Sequence, residues 1–340
     1  MKKKILIILT SIIILYTIIN ILIHTLNIYV KKTPNIYTQT TNTKYTEYKK
    51  YNSFYNKFKK YTTIPGLKEG GIPQAICYSS KYNILLISEY HKGGAPSIIH
   101  LLNLDKKTLI KTIILNSNNT PLTAHVGGIA TNNETLWITD NYTLYEFSLD
   151  EIINANDMSK INALTKIELD IKADFINYNN DILWIGEYYY YPIYRLDETK
   201  NKDRPNNKAL LVGYDNNLEP KHAYYIPDKA QGITWDNNNN LIISSSFWSF
   251  ESSNIKIYTN PIEINNISNE YIKINNKKII VSNINDTTLL KNYTIPPMAE
   301  GITTINNELY IIFESASNLY KYYTPYQTDK IYKITLPNEY

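Results

Sequence analysis

Five stretches of this 340-residue chain repeat one plan, and the repeat limits the possible folds more than any other feature. Each has a small or polar cluster ending in an isoleucine, then a polar turn, then a short apolar run closing on a polar or acidic residue. The copies are QAICYSSKYNILLISEY from Gln74, GGIATNNETLWITDN from Gly127, DFINYNNDILWIGEY from Asp174, QGITWDNNNNLIISSSF from Gln231 and EGITTINNELYIIFES from Glu300. Successive isoleucines are 53, 47, 57 and 69 residues apart, at Ile76, Ile129, Ile176, Ile233 and Ile302.

A repeat of about fifty residues made of short strands predicts an all-β fold, a single β-propeller of four-stranded blades. Five units are visible. The fourth is long, and its stretch 262–283 fits either an outer hairpin or a degenerate sixth blade. The sequence therefore predicts five blades and leaves six open.

Three segments that run into proline indicate how the ring closes. They are KYTTIPG from Lys60, AYYIPD ending at Asp228 and NYTIPP ending at Pro297, and each precedes one of the copies. The first has no earlier blade, so its predicted partner is the last strand of the chain, KIYKITLP from Lys330. Pairing of the N- and C-terminal strands in one blade would remove the exposed sheet edges of an open array.

The N-terminus predicts a membrane segment. Residues 5–23 form an apolar run of the length that crosses a bilayer as a helix, and Lys2, Lys3 and Lys4 precede it. The positive-inside bias then places the bulk of the chain outside the cytoplasm. A cleaved signal peptide is the alternative and would make the protein secreted, but no small-residue cleavage motif follows the run.

The chain therefore divides into a membrane anchor (1–32), a spacer with a basic amphipathic helix (33–59) and the propeller (60–340). Aromatic residues recur along that helix among lysines. Such a helix fits an anionic membrane surface or, equally, a plug packed against the propeller. The aromatic stripe consists of Tyr48, Tyr51, Tyr55 and Phe58.

Charge argues against nucleic acid as the partner. Residues 1–32 carry five lysines and no acid, residues 33–60 a net +5, and the whole chain +4, so residues 61–340 carry −6. The single cysteine, Cys77, rules out an internal disulfide and fits a buried strand position. Abundant Asn, Ile, Lys and Tyr are what AT-rich codons specify, so the 32 tyrosines alone indicate no chemistry.

Two columns of polar residues recur at equivalent positions of the copies. If the first strand of each blade is innermost, the residues two before each isoleucine converge on the propeller axis, and Asp174 and Glu300 would be carboxylates there. With the amide oxygens of Gln74 and Gln231 they form an oxygen-rich set that suits Ca²⁺. Alternatively, the column only lines a water-filled channel and forms hydrogen bonds with neighbouring blades. The second column, at strand ends on the blade surface, is Glu89, Asp140, Glu187, Ser245 and Glu314.

Other candidate site residues lie near the strand ends. His125 in TAHVGGIA is a candidate general base beside the carboxylates, or a structural hydrogen-bonding group. Trp248 and Phe250, with the run 188–191, could form an aromatic platform for a sugar or a peptide. No nucleophile elbow, Walker loop, Rossmann glycine pattern, HExxH or EF-hand loop occurs in the sequence.

The copies QGITWDNNNNLIISSSF and AEGITTINNELYIIFES resemble strand pairs of SMP-30/gluconolactonase-like, strictosidine-synthase-like and NHL-type propellers. The strings MAEGIT and LYIIFESAS also resemble uncharacterised secreted bacterial propellers. In gluconolactonase-like enzymes, acid and amide side chains of inner strands hold a channel metal. The resemblance implies such a role for Glu300 and Asp174, while Gln74 stands in the first copy where that family has a glutamate.

Two functions from different classes follow. One is a membrane-anchored extracytoplasmic binding or scaffold module that presents its channel face to an extracellular ligand or protein. Its candidate ligand-binding residues are Gln74, Asp174, Gln231, Glu300 and Trp248. The other is a Ca²⁺-dependent lactonase or esterase-like hydrolase, with Asp174 and Glu300 on the metal and His125 as base. Because no complete catalytic set is present, binding is favoured.

Overall fold

A computed structural model describes residues 14–15, 17–18, 47–191, 193–194, 209–263 and 270–340. The predicted membrane span, 5–23, lies outside them apart from Ile14, Leu15, Thr17 and Ile18, which are helical. Within the described ranges no helix combines the length and apolarity needed to cross a membrane. Among the described residues from Lys59 onward, strands are the main regular structure.

Five sheets form the blades of a closed ring, and the first strand of each blade is the innermost. The chain enters through β1 (Lys59–Thr63). Blade 1 has β2 (Gly71–Ser79), β3 (Ile84–His91), β4 (Ile98–Asn103) and β5 (Thr108–Ser117), with β6 (Thr120–Pro121) on β5. Blade 2 has β7 (Gly128–Thr131), β8 (Thr135–Asp140), β9 (Thr143–Ser148) and β11 (Thr165–Glu168), while β10 (Lys160–Asn162) pairs in parallel with β5.

The remaining blades follow the same order. Blade 3 has β12 (Phe175–Asn179), β13 (Ile182–Gly186), β14 (Leu210–Tyr214) and β15 (Pro220–Tyr225). Blade 4 has β16 (Ala230–Trp235), β17 (Leu241–Ser245), β18 (Ser253–Tyr258) and β21 (Leu289–Ile295). Blade 5 has β22 (Ala299–Ile305), β23 (Glu308–Phe313) and β24 (Lys330–Thr335), and β1 completes it.

The long fourth unit does not build a sixth blade within the described residues. Its extra strands, β19 (Tyr271–Ile274) and β20 (Lys277–Asn283), form a hairpin. This hairpin lies on blade 3, where β20 pairs in parallel with β15. The five-blade prediction is therefore confirmed, and the extra segment is the outer hairpin.

The predicted closure of the ring is also confirmed. Strand β24 lies between β23 and β1 and pairs antiparallel with both, with Lys60 opposite Tyr332. The hydrophobic core consists of five layers, each between two neighbouring blades. Every blade therefore depends on both neighbours to bury its apolar faces.

Small residues let the inner strands approach each other. The residue before each repeat isoleucine is Ala75, Gly128, Gly232 or Gly301 in four of the five copies. A Cβ atom at Gly301 would lie 2.6 Å from the Cα of Ala75, far inside contact distance. The exception is Phe175 in blade 3, whose ring lies where a side chain of its cross-strand partner Gly186 would be.

The backbone conformation of the turns between first and second strands explains why asparagine recurs there. Asn83, Asn180, Asn306 and Asn307 connect first and second strands with positive φ, a region that Asn enters more readily than most residues. Asparagine abundance reflects more than codon usage at these positions. Cys77 is buried and free in β2, as expected from its sequence context.

The short helical segment before β1 packs against the propeller, as one of the two sequence readings predicted. It comprises a 3₁₀ turn (Lys49–Tyr51) and α1 (Asn52–Lys57). Its buried side chains are Tyr51, Phe54 and Phe58, which join the core layer between blades 4 and 5. Tyr48 and Tyr55 of the predicted stripe are partly buried and pack against the same layer, and Phe54, which the stripe did not include, is buried in it. The other helical segments are α2 (Leu149–Asn154), capped by Ser148, and a 3₁₀ turn (Asp286–Thr288).

We expect deletion of residues 330–340 to abolish cooperative unfolding. The deletion removes β24 from between two strands and takes Tyr332, Ile334 and Leu336 out of the core layer, a loss of roughly 5 kcal/mol or more at 1.5–3 kcal/mol per side chain. Thermal unfolding followed by circular dichroism measures this. Deletion of residues 337–340 alone is the control and should keep a single transition. A truncated chain that stays soluble and melts as sharply as the parent would contradict the closure.

Candidate functional site

A cavity of about 710 Å³ lies at the end of the channel where the inner strands begin. All five blades contribute to its wall, so it exists only in the closed ring. The polar and charged side chains around it are Gln74, Lys92, His125, Asp140, Asn141, Lys172, Asp174, Gln231, Ser246, Ser249, Glu300 and Glu314. Its aromatic side chains are Tyr188, Tyr194, Phe247, Trp248, Tyr320 and Tyr323.

The first polar column converges on this cavity. Its five members each precede a repeat isoleucine by two residues and stand at or near the start of an inner strand. All five line the cavity: Gln74, Gly127, Asp174, Gln231 and Glu300. Their convergence follows from the repeat, whereas their role in ligand binding stays a prediction.

A pair of carboxyl groups from blade 5 lies in the floor of the cavity. Glu300 on β22 is only 4% exposed, and Glu314 follows the end of β23. Burial, then the neighbouring charge of Glu314 and a hydrogen bond with it, raise the pKa of Glu300 well above its usual range. Burial also raises the pKa of Glu314 to about 8, although hydrogen bonds from Gln74 and Glu300 oppose this rise. The pair therefore retains a proton at neutral pH.

Gln74 connects this pair to blade 1. Its amide nitrogen donates to Oε2 of Glu314 over 3.1 Å and to the carbonyl of Pro73 over 2.9 Å. The side chain is 3% exposed, and its amide oxygen accepts no hydrogen bond from any described residue. A buried acceptor that borders a cavity is a ready partner for a ligand hydroxyl or amide.

The other predicted carboxylate is already paired with a cation. Asp174 Oδ1 lies 2.8 Å from Lys172 Nζ, and its Oδ2 accepts from the backbone N–H of Tyr188 over 2.7 Å. Burial raises the pKa of Asp174, while Lys172 counteracts the rise. Asp174 and Glu300 thus have separate partners. Among the residues that the structure describes, no three His, Cys, Asp or Glu side chains are grouped to hold a metal ion.

His125 lies in the cavity wall, where its ring contacts that of Tyr90 at a centroid distance of 4.5 Å. Although the His125 side chain is exposed to solvent, the surrounding protein atoms lower its pKa to about 4. The charge of Asp140 opposes this effect, and Lys172 and Lys92 reinforce it. The imidazole is therefore neutral at pH 7 and a weak proton acceptor. Its proposed role as general base stays a prediction.

The second column was predicted at strand ends, where its acids need not be buried, but in two blades these acids are buried and structural. Glu89 and Glu187 are fully buried, because loops that lead into the inner strands cover the ends of β3 and β13. The Glu187 carboxylate accepts from the backbone N–H groups of Lys172 and Leu210 over 3.1 and 3.0 Å. Glu89 lies 3.2 Å from Nε2 of buried His100. Asp140 and Glu314 of the same column line the cavity instead.

Aromatic side chains form the rim. Trp248 borders the cavity, is 60% exposed and has a positive φ. Behind it, the Phe247 and Tyr190 rings lie 4.1 Å apart between centroids, with Lys229 Nζ 4.3 Å from the Tyr190 centroid. This cation contact fixes the loops of blades 3 and 4 together. Of the residues predicted to form an aromatic platform, Trp248 and Tyr188 line the cavity and Phe250 does not. Their role as a binding surface stays a prediction.

Sequence reasoning missed the side chains that set the charge of the cavity. Lys172 neutralises Asp174, Lys92 faces Glu314 and His125, and Glu314 shares the proton of Glu300. Two signals were available. Glu314 belongs to the second column, and Lys172 precedes Asp174 by two residues.

Comparison with known proteins finds remote similarity to solved structures. No family model matches the chain, and no curated protein matches its sequence. It is similar to the PQQ-bound aldose sugar dehydrogenase from Streptomyces coelicolor, with 9% identity and a TM-score of 0.45 over 81% of this chain and 95% of that one. It is also similar to the WD40 β-propeller domain of Doa1, with 8% identity and a TM-score of 0.39 over 83% of this chain and 98% of that one.

A similarity to hydrazine synthase from Kuenenia stuttgartiensis has 7% identity and a TM-score of 0.37, covering 70% of this chain and 55% of that one, so the chain spans about half its length. At these identities a likeness concerns the fold alone. The propeller fold is confirmed by the sheets themselves. The narrower resemblance to gluconolactonase-like, strictosidine-synthase-like and NHL-type families stays a prediction.

The carboxyl pair predicts a pH dependence of stability. A carboxyl group whose pKa is higher in the folded than in the unfolded chain stabilises the fold at low pH, and this contribution is lost as the pH rises through the folded pKa. We expect the melting temperature to fall between about pH 5 and pH 8, and Glu314→Gln to flatten that fall. Glu308→Gln, on the same β23 strand but outside the cavity, is the matched control. Equal slopes in parent and Glu314→Gln melts would contradict the shared proton.

Proposed function

We propose that this protein is a binding module whose cavity takes a small polyhydroxylated molecule such as a sugar. The observation that carries the proposal is the division of one cavity into a buried polar floor and an exposed aromatic rim. Its volume lies within the range of small-molecule sites, about 300–1,000 Å³. A ligand with hydroxyl groups on one side and a flat face on the other fits both zones.

The floor offers hydrogen bonds of both kinds. The free amide oxygen of Gln74 accepts, the shared proton of Glu300 and Glu314 can be donated, and the amide of Gln231 does either. Hydroxyl groups both donate and accept, so they match such a set better than a purely acidic or basic ligand does. Lys172 and Asp174 add a neutralised ion pair at the side of the floor.

The rim supplies a stacking surface. The Trp248 indole is exposed at the mouth, and Phe247 supports it at a centroid distance of 5.8 Å. Aromatic faces carry large apolar area at small cost in side-chain entropy, which suits the C–H face of a sugar ring.

We also propose that the propeller works outside the cytoplasm, attached to the membrane through residues 5–23. Support comes from the sequence alone: Lys2, Lys3 and Lys4 precede an apolar run of bilayer length. A sugar-binding cavity on an exposed propeller would be in contact with extracellular material.

Truncation of the rim should weaken binding without unfolding the protein. We expect Trp248→Ala to reduce affinity about fivefold to thirtyfold, equivalent to about 1–2 kcal/mol of lost stacking. The full chain in detergent is screened with glucose, galactose, mannose and N-acetylglucosamine by thermal shift, and binding is then measured by calorimetry. Phe250→Ala, an exposed aromatic two residues away, is the matched control and should bind as the parent does. Failure of every sugar to raise the melting temperature would overturn the proposal.

A calcium-dependent hydrolase is the alternative, and one observation favours it: the two predicted metal ligands, Asp174 and Glu300, do line one cavity. If Ca²⁺ held them, it would stabilise the fold by RT ln(1 + [L]/Kd), about 2.7 kcal/mol at a hundred times Kd. The Lys172 partner of Asp174 and the proton of Glu300 instead predict no effect of chelation. We expect EDTA to leave the melting temperature of the parent and of Asp174→Asn/Glu300→Gln unchanged. A chelator-sensitive parent beside an insensitive double variant would favour the hydrolase.

A further inference from the structure

Exposed apolar side chains crowd one end of the propeller. Loops that follow the second strands of blades 3, 4 and 5 surround the cavity there, and six of their large apolar residues are between 49% and 67% exposed. We call this group the aromatic crown. It consists of Tyr191, Ile193, Tyr194, Trp248, Phe250 and Tyr322.

Exposed aromatic side chains are concentrated at this end of the propeller. Among the described residues, five of the six exposed large aromatic side chains belong to it, and the sixth, Tyr271, lies on the outer hairpin of blade 3. Exposed lysines accompany the crown at the same end. They are Lys49, Lys50, Lys68 and Lys92.

The N-terminal segment reaches the propeller at this same end. The Tyr48 and Tyr326 rings lie 5.2 Å apart, and the Tyr48 hydroxyl accepts from the backbone N–H of Gln327 over 3.3 Å. The Tyr51 hydroxyl lies 3.1 Å from Oγ of Ser252. Both partners belong to loops that follow second strands, so Tyr48 and Tyr51 lie at the cavity end of the propeller.

The distance from this point to the predicted anchor is limited by the chain. Residues 24–46 separate the apolar run from Glu47, and 23 residues span at most about 80 Å. A tether of this length turns docking of the crown on the anchoring membrane into an intramolecular event at high effective concentration. Even a weak surface contact is then populated.

We propose that the aromatic crown rests in the headgroup region of the bilayer that holds the N-terminal anchor, so that the cavity opens toward the membrane surface. Trp and Tyr rings favour that interface because one part of each ring is apolar and the other polar. Lysines beside the rings add attraction to anionic lipids. The inference rests on the proposed membrane attachment and concerns the orientation of the propeller, whatever ligand the cavity takes.

The chain contains a built-in reporter for this contact. Of its four tryptophans, Trp137, Trp184 and Trp235 are buried and only Trp248, in the crown, is exposed. The full chain is reconstituted in vesicles of phosphatidylcholine and phosphatidylglycerol, with or without bromine atoms on the acyl chains near the headgroups. Because bromine quenches tryptophan at contact, we expect weaker emission in brominated vesicles, and Trp248→Phe should lose at least half of the difference.

A matched variant tests the orientation. Tyr271→Trp in the Trp248→Phe background moves the exposed tryptophan from the crown to the outer hairpin, and we expect no quenching there. Equal emission of the parent in brominated and plain vesicles would overturn docking, as would equal quenching at both positions. Emission that changes with the protein-to-lipid ratio and not with bromination would mean that a second copy covers the crown. Alkaline carbonate extraction of the same vesicles separately reports whether the chain is anchored, so loss of anchoring and loss of docking are distinguished.

Discussion

The close approach of five inner strands around one axis is the constraint on which the rest of the structure depends. Backbone meets backbone there, as the position of Gly301 against Ala75 shows, so the residue before each isoleucine must be small or compensated. Phe175 is compensated by the absent side chain of Gly186. The same approach brings the residue one step earlier in every copy to the axis. The residue at which the inner strands pack together and the residue that lines the cavity are therefore adjacent positions of each copy.

The buried carboxyl groups near the axis are stabilised in two ways. Asp174 has a lysine from its own segment, whose charge favours the ionised carboxylate and opposes the rise in pKa that burial causes. Glu300 and Glu314 have no cation so close, and the pair holds a proton instead. One side of the floor is consequently a fixed ion pair, while the other changes its hydrogen-bonding character with pH.

The sequence predicted those features that depend on repetition. The five units, the inner position of the isoleucine strands, the pairing of Lys60 with the C-terminal strand and the convergence of Gln74 and Glu300 all follow from spacing and alternation. Contacts between side chains of different blades could not be predicted in this way, because they depend on loop paths that no repeat specifies. The Lys172 ion pair and the burial of Glu89 are of that kind. The outer hairpin was ambiguous because a pair of alternating strands fits a blade edge as well as a new blade.

The hydrogen bond from Gln74 to Glu314 joins the first blade to be synthesised with the last. A ribosome releases β2 long before β23 and β24, so the floor of the cavity is absent from the nascent chain until translation is almost finished. The ligand binding that we propose would therefore be confined to complete molecules. In the folded protein, a ligand that contacts both blade 1 and blade 5 must lose its contacts with one of them before the two blades can separate. Occupancy of the cavity would then slow opening of the ring, and so prolong the lifetime of the folded protein.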